Sequence, residues 1–533
     1  MAKALAELAG EAGIEVIVAA DPANAAGLRD CQVVIEAVPE RLKVKSEVLR
    51  HLAGACDAVI VTTTSTLSVT DLALASGAPD RVVGLHVSLP AQEHKLAEVA
   101  RTELASEEAV ADVVAFAEAL GRRVVVLADR PGFITARLLY GYLNRAVDMV
   151  ESGYATKEHV DAAMRFGCGY PVGPIAMVDS IGLDVLYDAL SSLFRTTGER
   201  AHAPAPLLKE LAAAGRRGQK SGHGFYKYSA PGSSQMVAGS EDESDGEGTP
   251  RAVESVGVVG SGTMATGIIE VFAKAGYATT FVARSAEKVD RVTAAIKKSL
   301  DHQVAKGRLA ESDRDAVIAR VNGVTSIGEL GDVDLVVEAV VEDLAVKLEL
   351  FRALDQVCKP GAVLATTTSS LAVIEMAAVT ERPADVVGLH FFNPAQIMKL
   401  VEIVSTVCTA PDAVATAQAV CARTRKHPVR CGDRAGFIVN ALLFPYLNDA
   451  VRLTEAGFAT KEQIDAAIKD ATGFPLGPFD LLDVVGNDVS LAIQQVLHDE
   501  FHDPGLAPAK TLRDVVSAGH LGRKTGRGFF SYA

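Results

Sequence analysis

The feature that most constrains this chain is an internal repeat. Asp129-Arg130-Pro131-Gly132-Phe133-Ile134 recurs as Asp433-Arg434-Ala435-Gly436-Phe437-Ile438, displaced by 304 residues. At the same displacement Tyr170-Pro171-Val172-Gly173-Pro174 becomes Phe474-Pro475-Leu476-Gly477-Pro478, and Lys220-Ser221-Gly222-His223-Gly224-Phe225 becomes Lys524-Thr525-Gly526-Arg527-Gly528-Phe529. Upstream, Glu36-Ala37-Val38 and Glu338-Ala339-Val340 lie 302 apart, so one two-residue gap separates the copies. Register held over such a span identifies a tandem duplication. At 533 residues the chain exceeds one ordinary core, and its length suits three or four domains.

Each repeat begins with strand-like apolar runs alternating with helical stretches and ends in a helical region. In the second repeat the strands are predicted near 278–283, 334–339, 362–366 and 386–391. That alternation implies an α/β, Rossmann-like doubly wound parallel sheet followed by an all-α C-terminal domain, present twice. The expected domains are 1–128 (an incomplete Rossmann-like domain), 129–228 (helical), 252–432 (a complete Rossmann domain) and 433–533 (helical). Residues 229–251, with Pro-Gly-Ser-Ser and the acidic run 241–247, read as a solvated linker with little to bury. The repeats differ at the front: Met1 begins where the second repeat has reached about residue 303, so the first strand, the glycine turn and the second strand have no counterpart. The sequence leaves open whether that missing front end is genuine.

Composition narrows the partners. Apolar residues at 49% and charged residues at 22% are globular values, and no stretch approaches the ~18 apolar residues of a membrane span. Glu7, Glu11 and Glu15 make the N-terminus an amphipathic helix and not a secretory signal. A net charge of −15 argues against nucleic acid. Seven cysteines without C-x-x-C fit buried thiols in a reducing, cytoplasmic setting, and no metal site is expected.

The second repeat opens with the apolar run 256–259, then Gly260-Ser261-Gly262-Thr263-Met264-Ala265 and an apolar helix. Such a turn lets backbone amides and the helix dipole receive a pyrophosphate. Gly260 makes the tight turn, Gly262 admits the phosphates, and Ala265 takes the place of the third glycine, which serves helix–strand packing.

His390-Phe391-Phe392-Asn393-Pro394, followed by Lys399-Leu400-Val401-Glu402, resembles the signature of the 3-hydroxyacyl-CoA dehydrogenases, of the 3-hydroxybutyryl-CoA and 3-hydroxyadipyl-CoA type. The resemblance covers all of the second repeat and, more degenerately, the first. It implies oxidation of a 3-hydroxyacyl-CoA thioester by hydride transfer to NAD, or the reverse, as in fatty acid β-oxidation. By that resemblance His390 takes the hydroxyl proton, Glu402 orients the imidazole, and Ser369 and Asn440 surround the substrate oxygen. Histidine suits the task because its charge changes near neutrality. The resemblance further places Glu342, Lys347, Ser369, Asn393 and Lys524 near the nucleotide, and Ser299 and Lys306 on the coenzyme A side. An isolated histidine at a strand end is more often structural; the four residues together carry the catalytic reading.

Two departures stand out. The acidic residue that ends the second strand in this family and binds the adenosine ribose is Ala283 here, followed by Arg284. Loss of a charged hydrogen bond costs about 1.5–3 kcal/mol, and an arginine suits a 2′-phosphate, so the cofactor is expected to be NAD or NADP. The first repeat keeps Ser65, His86, Glu98, Glu40, Lys45 and Lys220 but has Leu89 for Asn393, Ala136 for Asn440, and no glycine turn; it reads as catalytically silent. Its helical domain is expected to pack with that of the second repeat as an internal pseudo-dimer, or to support a homo-oligomer. The rival readings are an inactive scaffold that kept the fold and a dehydrogenase of free 3-hydroxy acids, which would use a lysine in place of the His/Glu pair.

Overall fold

The computed structural model describes residues 2–19, 27–87, 95–237 and 248–532. The chain forms two compact units that do not follow the repeat boundary. One comprises Met1–Glu151, Tyr170–Ala238 and Leu442–Ala533; the other comprises Ser152–Gly169 and Gly239–Ala441.

The first unit holds a five-stranded sheet, β1 (Val33–Glu36), β2 (Val59–Thr62), β3 (Val82–Val87), β4 (Leu96–Arg101) and β5 (Arg123–Ala128), in that spatial order. The first three strands are parallel, and β4 runs antiparallel to β3. Val61, Val83, Leu85 and Val99 pack against Val110, Val113 and Ala117 of the helix Glu107–Ala119. The N-terminal helix Ala2–Glu11 buries Leu5, Leu8 and Ala9 in the same core, which is the amphipathic face its sequence predicts.

Helices of both repeats complete this unit. Tyr142 meets Tyr446 with ring centroids 5.6 Å apart, Tyr170 stacks on Phe474 at 3.5 Å, and Arg145 pairs with Asp449 at 2.9 Å. The recurrent closing motif has a structural cause. Asp179 accepts the amides of Phe225 and Tyr226 and the hydroxyl of Tyr228, and Asp483 repeats this with Phe529, Phe530 and Tyr532. The helix Lys461–Thr472, from the second repeat, packs on β4 and β5 of the first; Asp470 pairs with Arg123 at 3.1 Å.

The second unit holds an eight-stranded sheet: β6 (Ser255–Val259), β7 (Ala278–Val282), β8 (Val321–Val324), β9 (Leu335–Glu338), β10 (Val363–Thr366), β11 (Val386–Phe391), β12 (Leu400–Ser405) and β13 (His427–Gly432). Their order is β13-β12-β11-β10-β9-β6-β7-β8, parallel throughout except where β11 meets β12. The chain reverses its direction of growth at β6, so the crevice beyond the carboxyl ends of β6 and β9 is the place where such sheets bind ligands. The strands β9, β10 and β11 are wholly buried, as near-continuous apolar runs in a two-sided sheet should be. The helix Lys157–Cys168, from the first repeat, packs on β12 and β13.

Most described residues of the stretch 229–251 are exposed, and it is tied down at both ends. Tyr228 bridges Met236, and Val237 donates to the Lys227 carbonyl. Arg251 pairs with Asp385 at 2.7 Å and with Asp412 at 2.9 Å. A guanidinium with two carboxylates in reach has a reason to stay docked that composition does not reveal. The acidic run 241–247 lies outside the described residues, as does Leu89. Among the described residues no helix is long and apolar enough to cross a membrane.

Candidate active site

Strand β11 ends at His390-Phe391, and its antiparallel partner β12 sets Glu402 directly opposite His390. Side chains facing one another across such a pair lie close enough to bond. His390 Nδ1 sits 2.6 Å from Glu402 Oε2, and His390 Nε2 sits 2.9 Å from Ser369 Oγ. Glu402 is fully buried, and its other oxygen accepts the amides of Ile438 at 3.0 Å and Val439 at 2.9 Å. Because the carboxylate can only accept, the imidazole proton belongs on Nδ1, which leaves a lone pair on Nε2, the nitrogen the serine hydroxyl faces. Phe437, held at φ +49°, and Phe392 flank the ring, with centroids 5.5 and 4.6 Å from it. Asn440 follows Val439 in the first turn of the helix Val439–Glu455 and is nearly buried.

The loop that presents Ser369 is held from below. Glu342 Oε1 accepts the Thr368 hydroxyl at 2.6 Å and the Ser369 amide at 2.8 Å, and it also accepts the Ser370 amide and hydroxyl. Burial works against the charge of Glu342, but Lys347 at 3.4 Å and these donors outweigh it and hold the carboxyl below its usual range. Lys347 is itself buried, 2.7 and 2.8 Å from the two oxygens of Glu338, which also accepts the Thr366 hydroxyl. It therefore braces the strand ends beneath the crevice. Glu338 figures in the sequence only as part of the repeat and not as a site residue; a lone glutamate at the end of the apolar run that forms β9 is the signal that could have marked it.

The glycine turn follows β6. Gly260 has φ +145°, and a Cβ there would lie 2.4 Å from the Ala339 carbonyl oxygen, so no other residue fits. Gly262 caps the helix Thr263–Lys274 and has open space where a side chain would be. The first-turn amides of that helix have no intrahelical partner, and Ala265 is wholly buried against the turn. This cradle fits a dinucleotide pyrophosphate. Ala283 is buried just beyond β7, whereas Arg284 is exposed and enters none of the ion pairs among the described residues.

The remaining residues are more scattered. Asn393 is exposed. Ser299 lies on the helix Ala286–Ala305 and accepts from Gln303, while Lys306 caps that helix and is exposed. Lys524 belongs to the other unit and pairs with Asp488 at 2.6 Å. Among the described residues no cluster of histidine, cysteine and carboxylate side chains could hold a metal.

The first repeat reproduces the supports but not the dyad. Lys45 holds Glu36 at 2.9 Å, and Glu40 accepts the Thr64 hydroxyl and the Ser65 amide. Glu98 accepts the Ile134 and Thr135 amides through one oxygen. Its second oxygen, however, accepts the hydroxyl of Thr135, the residue equivalent to Val439, and His86 Nδ1 has no hydrogen-bond partner among the described residues.

Profiles of known families match this architecture in both repeats. The NAD binding domain of 3-hydroxyacyl-CoA dehydrogenase matches residues 2–130 and 255–434, and the C-terminal domain of the same enzyme matches 132–228 and 436–532. The chain belongs to the 3-hydroxyacyl-CoA dehydrogenase family. It is similar to the 3-hydroxybutyryl-CoA dehydrogenase of Mycobacterium tuberculosis H37Rv, with 44% identity over 283 residues, 53% of this chain and 99% of the relative. It also resembles the 3-hydroxyadipyl-CoA dehydrogenase of Escherichia coli K12, 40% identical over 52% of this chain and 59% of that protein. Among solved structures, (S)-3-hydroxybutyryl-CoA dehydrogenase from Ralstonia eutropha superposes with a TM-score of 0.52 at 36% identity, covering 53% of this chain and all of that one. The family membership and the Rossmann-plus-helical fold, each present twice, agree with the expectation from sequence.

Proposed function

We propose that the chain interconverts 3-hydroxyacyl-CoA and 3-oxoacyl-CoA thioesters with NAD or NADP, and that the second repeat carries the reaction while the first is catalytically silent. The observation that carries this reading is the difference between the dyads: His390 engages both Glu402 and Ser369, whereas the equivalent carboxylate oxygen in the first repeat is taken by Thr135. The nicotinamide, when bound, supplies the hydride acceptor. The chain's own residues manage the proton and the oxygen. His390 Nε2 receives the 3-hydroxyl proton, and Glu402 offsets the positive charge that the ring acquires. The Ser369 hydroxyl, beside the same nitrogen, and, by family resemblance, the Asn440 amide donate to the oxygen as it becomes a carbonyl or, in reverse, an alcohol.

Gly260, Gly262 and Ala265 shape the pyrophosphate cradle. Glu342 and Lys347 act on the nucleotide side through the loop they brace. Asn393 and Lys524 are assigned to the cofactor, and Ser299 and Lys306 to coenzyme A, by family resemblance. Exposed Arg284 beside Ala283 favours acceptance of a 2′-phosphate. Absorbance at 340 nm with acetoacetyl-CoA and NADH or NADPH tests the proposal. His390→Ala should lose about 10²- to 10⁴-fold in kcat and His86→Ala should lose nothing. Retained activity in the first variant, or an equal loss in the second, would refute it.

A further inference from the structure

The helix Lys157–Cys168 belongs to the first repeat, yet it packs on the strands that carry the second repeat's dyad. Its approach is anchored on both sides. Tyr154 Oη donates to the Gly432 carbonyl at 2.9 Å, and the Gly432 amide donates back to the Tyr154 carbonyl. The Arg434 guanidinium lies 4.5 Å over the Tyr154 ring, and Phe166 packs on His427, which begins β13, with centroids 4.3 Å apart. The loss of water around the sulfur, and then the charge of Glu402, push the Cys168 thiol up to about 12, so this neutral side chain lies within the field of the buried carboxylate.

Gly167 leaves no room for a side chain. A Cβ there would lie 2.8 Å from Leu400 Cδ2 and 3.1 Å from Val439 Cγ2. Leu400 is wholly buried two residues before Glu402 on β12, and the Val439 amide is one of the two that hold Glu402 Oε1. The equivalent position in the second repeat is Ala471, on the helix that packs against β4 and β5 of the first. The side chain is thus missing on the one of these two helices that backs the His390–Glu402 pair.

We infer that Gly167 is a positioning residue for catalysis by the second repeat: by leaving room for Leu400 and Val439, the otherwise silent repeat sets the carboxylate that orients His390. This rests on the second repeat being the working one. A catalytic group misplaced by about 1 Å costs on the order of 10²-fold. Gly167→Val in the full chain should therefore lower kcat about tenfold or more, with KM for NADH and acetoacetyl-CoA each within about twofold. Gly167→Ala should show the same split at about threefold, and it carries the test if valine prevents folding, which circular dichroism reports. Shortening the obstructed neighbour in Gly167→Val/Leu400→Val should bring kcat back to within about threefold of the wild type. Ala471→Val, the mirror change, should alter neither constant. Unchanged kcat in both Gly167 variants, a parallel rise in KM, no recovery in the double variant, or an equal loss in Ala471→Val would each overturn the inference. Activity surviving in His390→Ala would instead remove the reading beneath it.

Discussion

The sharpest test of how the two repeats differ is to move one hydroxyl. Thr135 and Val439 occupy the same place, and each donates its amide to the buried glutamate. Only Thr135 adds a side-chain donor to the second oxygen. Val439→Thr is nearly isosteric, and a hydroxyl buried there has strong reason to find an acceptor, since leaving it unpaired costs about 1–3 kcal/mol. Its nearest acceptor by analogy is Glu402 Oε2, which now receives His390 Nδ1 at 2.6 Å. A hydrogen bond to a charged group contributes about 1.5–3 kcal/mol. Removing that amount of support from the charged imidazole should lower kcat about 10- to 150-fold. Acetoacetyl-CoA reduction followed at 340 nm gives kcat directly, and a nucleotide fluorescence titration checks that the cofactor still binds. Val439→Ala supplies the comparison, because it loses packing without adding a donor and should fall less. If Val439→Thr keeps kcat within twofold of the wild type, competition for Glu402 does not explain the broken dyad of the first repeat.

Three further outcomes are expected. Ala283→Asp combined with Arg284→Ile should raise the NADH-over-NADPH ratio of kcat/KM by about 10- to 100-fold, the equivalent of one charged hydrogen bond; an unchanged ratio would mean that this position does not read the ribose. Glu342 has a folded pKa depressed below its usual value, so its stabilising contacts with Lys347 and the Ser369 loop are fully present above about pH 4.5 and weaken as pH falls through the lower folded value. Urea denaturation between pH 6 and 3.5 should accordingly show a shallower acid loss in Glu342→Gln than in the wild type. Lys347→Met leaves Glu338 buried and unpaired and should cost about 3–5 kcal/mol in the same assay, with much of it recovered in Lys347→Met/Glu338→Gln.

Much of this arrangement was legible in the sequence because it is built from local rules. A glycine forced into a positive φ by a carbonyl at its back, as at Gly260, leaves a glycine in the sequence. His390 and Glu402 sit on adjacent strands, and a spacing of twelve residues is what an antiparallel pair with a short connection allows. The strands near 334, 362 and 386 announce themselves as buried, largely apolar runs. What was not legible has a common physical character. The strand β8 reads Val-Asn-Gly-Val at the sheet edge, half exposed, too short and mixed to give a period. The Glu338–Lys347 brace needs a residue pair whose meaning is three-dimensional, and Lys347 looks like an ordinary surface cation until its burial is seen. The helices at 157–168 and 461–472 repeat so well that, by sequence, each reads as part of its own repeat's sheet. Only the packing of each on the other repeat's strands, by contacts distant in sequence such as Phe166 with His427, reveals the exchange.

That exchange gives a physical reason for the pattern of retention in the first repeat. Its Glu36–Lys45 brace, the Glu40 bonds to its β2 loop and the Asp179 knot are all kept, and each stabilises a sheet or a helical layer. What differs lies around the dyad: Ala136 where the second repeat has Asn440, and a Glu98 oxygen that accepts the Thr135 hydroxyl. A scaffold under selection for packing alone would keep the first set and lose the second. Two observations go beyond a passive scaffold, namely the glycine at 167 against Val439 and the tyrosine at 154 bonded to Gly432. Both lie on the segment Ser152–Gly169, which folds with the second repeat's sheet. In a duplicated chain the partner helix is supplied by a linked sequence that can vary on its own. Under the proposed division of labour, the first repeat's own dyad is then free to change while its helix 157–168 stays constrained by the strands of the other.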